Sequence, residues 1–299
     1  MATKTEYSKK EAYFVFMDIL GFKEIVNHNT QEQLIEIVKL IFSSFEKAVD
    51  KSRTIQYIEN TNDTKGEWKF ELKPHLNFSL ISDSILIWTE DDEFRTFRNL
   101  LEVISELLLY GIKNGFPLRG AMTYGEIIVH KDDKKDPRQF FTNEAIYGKA
   151  VIEAISLEKI QEWSGCVISP SAWGKICEKW CRIITGYDDS NAYFNKSPLL
   201  TWYPIPLKNG SQPGIAINWN STLLYKKEII NSYVVKNSFY SHGKGFIDKN
   251  RKLDETLGFL DYTTQLLNYC FGLSASDFLE QKKTIPTPGE HFATQTWPA

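Results

Sequence analysis

Residues 13–18, Tyr-Phe-Val-Phe-Met-Asp, are a compact aromatic and apolar run that stops at an acid and passes through Ile19 and Leu20 to a glycine turn at Gly21. That is the pattern of a buried strand. A buried strand needs partners on either side, so the rest of the chain is read for elements that pair with it or cover it.

From Thr30 to Val49 the residues Leu34, Ile37, Val38, Ile41, Phe45 and Val49 recur at helical spacing, with Thr30 placed to cap. Residues 50–75 are polar and turn-rich, which predicts an inserted hairpin or loop. Two short apolar runs follow, Leu76–Ile81 and Ile85–Trp88, separated by Ser82-Asp83-Ser84; they predict a tight hairpin with Asp83 at its tip. A second helix is expected from Asp92 to Lys113, stopped by Asn114-Gly115. Leu118–His130 reads as a long strand or bent strand pair around Gly125, and 131–136 as a solvated loop. A helix over Ala145–Glu162, a strand over Gly165–Ser169 and a helix opened by Ser169-Pro170 complete the series. The order predicts an α+β fold of the ferredoxin-like, split βαβ kind with a mainly antiparallel sheet, spanning residues 1–185. Beyond residue 186 the composition shifts to Pro, Trp, Tyr and Asn, with one clear helix near Leu253–Phe271. This predicts a C-terminal extension, 186–299, packed on the core and irregular after about residue 283.

Composition removes several functions. With 299 residues, 42% of them hydrophobic, the chain can bury a substantial core, while its formal net charge of -3 gives no global field to hold nucleic acid or an anionic membrane. The apolar stretch near the N-terminus is broken at Asp18 and Lys23, so it reads as neither signal peptide nor membrane span, and a cytoplasmic location is expected. Four cysteines do not make a disulfide framework, and no histidine cluster joins Cys177 and Cys181 into a zinc site; both are expected as buried thiols on one helix.

In the predicted sheet Asp18 ends the first strand and Asp83 tips a hairpin flanking it. Each alone is an ordinary turn residue. Together they are two carboxylates that repel unless a cation lies between them, and hard oxygen ligands suit Mg²⁺ or Mn²⁺. The turn through Gly21 and Phe22 leads toward a helix, so its N–H groups face the place a polyphosphate would take.

These segments resemble the class III adenylate and guanylate cyclases. Phe16-Met17-Asp18-Ile19-Leu20-Gly21-Phe22 matches their first-strand motif, and Ser82-Asp83-Ser84-Ile85 their hairpin motif with serine in place of glycine. Arg119-Gly120-Ala121-Met122-Thr123-Tyr124-Gly125-Glu126 approximates their later strand, and Gly148 through Leu157-Glu158 their following helix. The resemblance covers Phe14 to Glu158. It implies that Asp18 and Asp83, with the Ile19 carbonyl, hold two Mg²⁺ or Mn²⁺ ions; Arg119, whose guanidinium offers a bidentate fork, is the candidate to neutralise phosphate charge. It also implies a homodimer with active sites at the subunit interface.

The departures from that family narrow the expectation. Where its helix carries an asparagine and an arginine that reach the ribose and phosphate, this chain has Ile152 and Ser156; where it selects a purine, this chain has Ser79 and Ala145. Lys149 and Glu153 are the candidates to replace the missing pair. This pattern is similar to the pyrimidine cyclases of bacterial Pycsar anti-phage systems, and implies conversion of UTP to 3′,5′-cyclic UMP and pyrophosphate. The messenger would act on a separate effector protein. CTP as substrate, a purine cyclase, and an inactive nucleotide-binding regulatory domain are the alternatives. Asn77, Ser79 and Asn143 are the candidates to read the pyrimidine.

Overall fold

The computed structural model describes residues 6–53, 76–131, 145–176, 199–221, 230, 232–240 and 250–270. The order is β1 (Glu6–Ile19), α1 (Phe22–His28), α2 (Gln31–Arg53), β2 (Leu76–Ile81), β3 (Ser84–Thr89), α3 (Phe94–Asn114), β4 (Leu118–Lys131), β5 (Ala145–Tyr147), α4 (Lys149–Ile160) and β6 (Cys166–Ile168). Helical residues 170–176 (α5) follow, then β7 (Leu200–Leu207), β8 (Gly210–Ile217), a 3-10 turn at Trp219–Ser221, α6 (Ser232–Tyr240) and α7 (Asn250–Cys270). The expected insert at 50–75 lies largely outside the described residues. So do Asn143, Cys177, Cys181, the 185/186 boundary and the tail after 283.

The sheet order is β2-β3-β1-β4-β6-β8-β7, with β5 paired to β4. Its first four strands, joined through α2 and α3, are the split βαβ arrangement that the sequence predicts. Every described strand pair is antiparallel except β4 with β6. β1 lies between β3 and β4 because it is apolar on both faces: Tyr13, Val15, Met17 and Ile19 point into the main core against α3, while Ala12 and Phe14 point into a smaller core beneath α4.

Three local expectations are revised. Ala145–Tyr147 is a strand rather than the start of a helix, since it pairs with Ile128–His130 of β4, and α4 begins only at Lys149. Gly148 makes that switch possible: it has φ +146, and a Cβ there would lie 2.3 Å from the Glu126 carbonyl oxygen. Next, β1 starts at Glu6, well before the apolar run, because its polar first half still pairs with β4 from Glu6↔Lys131 onward. Finally, residues 200–217 form a hairpin, turned at Lys208-Asn209, which prolongs the same sheet by pairing β8 with β6. Helix α7 packs over it through Trp163, Tyr203 and Phe259, and Thr256 Oγ1 accepts the Ser164 N–H at 2.9 Å.

Two helix-end expectations stand. Ser169 opens α5, its Oγ accepting the Ala172 N–H at 3.2 Å. Gly115 ends α3 in the left-handed region, its N–H bonded to the Gly111 carbonyl. No described helix is long and apolar enough to cross a membrane. Cys166 is a buried free thiol.

Candidate active site

Strand alternation decides where Asp18 points. It shares the face of Phe14 and Phe16, the side covered by α4, and its register neighbours are Ser84 on β3 and Arg119 on β4. Asp83 sits in the two-residue turn Ser82-Asp83 between paired Ile81 and Ser84. Ser82 is the only described non-glycine residue with positive φ, at 58°, and it stands where the resembled motif has glycine. The Ile19 N–H donates to the Asp83 carbonyl at 3.0 Å, which ties the hairpin tip to the end of β1. Both aspartates therefore occupy one end of the sheet, Asp18 on β1 and Asp83 in the turn that leads into neighbouring β3.

Burial pushes the Asp18 carboxyl up to about 7, with further repulsion from Glu158 and Asp83 and partial relief from Arg119 and Lys252. The donor set is two carboxylates with adjacent backbone carbonyls; among the described residues no group of three or more His, Cys, Asp or Glu side chains forms a closed metal cage. Such a set fits Mg²⁺ or Mn²⁺, which keep several waters and bind through one or two carboxylates plus substrate phosphates.

Arg119 is buried and engaged. Its Nε donates to Glu158 Oε1 at 2.5 Å, its Nη2 pairs with the same oxygen, and its Nη1 donates to the Gln161 carbonyl at 2.8 Å. Asp18 Oδ2 lies 3.9 Å from Nη2. Glu158 is a residue of this site to which the sequence motifs assign no role. The signal was present: Ala150, Ala154 and Glu158 are spaced four apart on the buried face of α4, where a carboxylate needs a partner.

The remaining candidates fall into two groups. Gly21 takes φ 77 and starts α1, its carbonyl accepting the N–H groups of Glu24 and Ile25, while Phe22 packs against the main core. Ser79 lies half-buried on β2 in the register row of Leu86 and Phe16, two residues along from the row of Asp18. These belong to the Asp18 end. Ala145 pairs with His130, eleven residues along β4 from Arg119, a span of roughly 35 Å in an extended strand. Lys149 is exposed at the first turn of α4, whereas it is the last turn of that helix that reaches Arg119. One chain does not bring Ala145 and Lys149 to Asp18. Glu153 is half-buried and turned to its own chain, its Oε2 accepting from Ser171 Oγ at 3.0 Å, and burial raises its pKa. Asn77 donates to Glu90. Ile152, at 67% exposure, and Ser156 lie on the exposed outer face of α4.

No protein-family model and no curated protein matches the chain. Among solved structures it is similar to the guanylyl cyclase Cya2 at 10% identity, covering 70% of this chain and 91% of that one with a TM-score of 0.42. It is similar to the adenylyl cyclase CyaB from P. aeruginosa at 15% identity, covering 71% and 96%, with a TM-score of 0.43. A third is the catalytic core of a rhodopsin-guanylyl cyclase with converted specificity in complex with ATPαS, at 13% identity, 73% and 99% coverage and a TM-score of 0.41.

Proposed function

We propose that this chain is a pyrimidine nucleotide cyclase that converts UTP to 3′,5′-cyclic UMP and pyrophosphate. The observation that supports the reading is the fastening of the Asp83 backbone to the end of β1, which brings the hairpin tip to the sheet end where Asp18 lies. Asp18, Asp83 and the Ile19 carbonyl would hold two Mg²⁺ or Mn²⁺ ions, which when bound acidify the ribose 3′-hydroxyl and neutralise triphosphate charge. The 3′-oxygen attacks the α-phosphorus in line, the bond to the β-bridging oxygen breaks, and pyrophosphate leaves as the hydroxyl proton is lost. The turn through Gly21 and Phe22 orients the triphosphate. Ser79, on the same face of the sheet, lies toward the base.

A site that also uses Ala145 or Lys149 needs a second copy of the chain, because these residues lie far from Asp18 within one protomer. The exposed outer face of α4, with Ile152 at its middle, is the surface offered for that homodimer. The product would serve as a second messenger in bacterial anti-phage defence, made in the cytoplasm and sensed by a separate effector protein.

Incubating purified protein with ATP, GTP, CTP and UTP in Mn²⁺ and identifying products by mass spectrometry tests the reading. Cyclic UMP is expected; cyclic CMP alone would move the assignment to CTP, and a purine product alone would end the pyrimidine claim. A second reading, a non-catalytic nucleotide-binding regulatory domain, is favoured by Ile152 and Ser156 at positions where the resembled family acts on substrate. It predicts binding with no pyrophosphate release from any of the four.

A further inference from the structure

Arg119 and Asp18 are direct register partners on adjacent antiparallel strands, the arrangement in which a guanidinium and a carboxylate ordinarily close into a hydrogen-bonded pair. Here they do not close. The nearest approach is 3.9 Å, while the nitrogens of the guanidinium are turned to α4: Nε and Nη2 to Glu158 and Nη1 to the Gln161 carbonyl. That carbonyl is itself anchored. The Gln161 side chain donates from Nε2 to the carbonyls of Gly120 and Leu157, both at 2.9 Å, and accepts from Trp163 Nε1 at 2.8 Å. Glu158 is 3% exposed, so its charge is committed to the guanidinium rather than shared with solvent.

We infer that Glu158 is a positioning residue, which holds the Arg119 guanidinium on α4 and off Asp18 and so keeps the Asp18 carboxylate open to a divalent cation. This rests on the cation reading of Asp18 given above. Without Glu158 the cross-strand pair closes, and the arginine occupies the oxygen that the cation needs. Arg119 then acts at Asp18 and not on a phosphate of the nucleotide, so its influence is on metal affinity and not on triphosphate affinity.

The test is Mn²⁺ binding to the full chain without nucleotide, followed by the electron paramagnetic resonance of the free ion. Glu158→Gln is expected to weaken Mn²⁺ binding about tenfold, the effect of one competing ion pair. The double variant Arg119→Gln/Glu158→Gln is expected to restore it to the unsubstituted level or tighter, because no guanidinium remains to compete. At saturating Mn²⁺ the KM for the triphosphate should be the same in all three proteins, a split that a merely structural defect would not produce. Circular dichroism checks folding, and should Glu158→Gln fail to fold, the double variant decides alone: retained Mn²⁺ binding supports the inference and lost binding overturns it. Binding indifferent to Glu158→Gln, or a double variant as weak as the single, overturns the inference. Failure of the unsubstituted chain to bind Mn²⁺ overturns the cation reading itself, and the inference with it.

Discussion

The backbone N–H of Ile19 donates to the backbone carbonyl of Asp83 at 3.0 Å, a bond that extends the β1–β3 pairing one step past the register row of Asp18 and Ser84. Because the link is made by main chain, either aspartate side chain is replaceable without releasing the hairpin. Asp18→Asn and Asp83→Asn are each expected to keep the circular dichroism spectrum while sharply lowering the proposed cyclase turnover. Loss of several kcal/mol of charge stabilisation corresponds to a rate decrease on the order of a thousandfold. Pyrophosphate release measures it.

Asp18 also predicts an inverted pH dependence of stability in the metal-free protein. Its folded-state pKa, pushed up to about 7 from 3.8, means the folded chain binds the extra proton between those values. Stability from this group is therefore fully present below about pH 4 and lost as pH rises through about 7, an effect on the order of a few kcal/mol. Asp18→Asn should raise the melting temperature at pH 8 and change it little at pH 4. Scanning calorimetry without metal measures the difference, and equal shifts at both pH values would refute it.

Gly148→Ala is expected to be severely destabilising. The added Cβ would lie 2.3 Å from the Glu126 carbonyl oxygen at a backbone φ of +146°, so α4 must lift from β4. A cost on the order of 3 kcal/mol or more follows from combined strain and overpacking. Ser82→Gly should act in the opposite sense, stabilising by up to about 1 kcal/mol because Ser82 pays for φ 58° with its Cβ. Urea denaturation midpoints report both.

Ile152→Asp tests the dimer surface. At 67% exposure the side chain contributes little to the fold of its own chain, so the melting temperature should move by no more than its own burial predicts, within about 0.5 kcal/mol. Dimerisation, measured by sedimentation velocity, should be lost, and turnover with it; a variant that remains dimeric would remove the outer face of α4 from the interface.

Much of the fold was legible because its signals are local. The run from Tyr13 to Met17 reads as a buried strand since both of its faces are apolar, and the helices over α2 and α3 read from spacing. The segment Ala145–Tyr147 did not, because three residues carry no periodicity and become a strand only by finding the edge of β4. The hairpin of β7 and β8 was hidden for a related reason: its prolines, Pro204, Pro206 and Pro213, argue against a strand locally, and its pairing with β6 closes only when distant segments meet.

The same division runs through the candidate site. That Asp18 ends a strand and Asp83 tips a hairpin at the same sheet end was readable from sequence, because each acid is announced by the apolar runs beside it. Glu158 beside Arg119 was not readable, since which oxygen a guanidinium takes depends on how α4 lies across β4. Short-range sterics and hydrophobic period are written into consecutive residues, whereas the pairing of buried charges is settled by geometry between segments that the chain brings together only on folding.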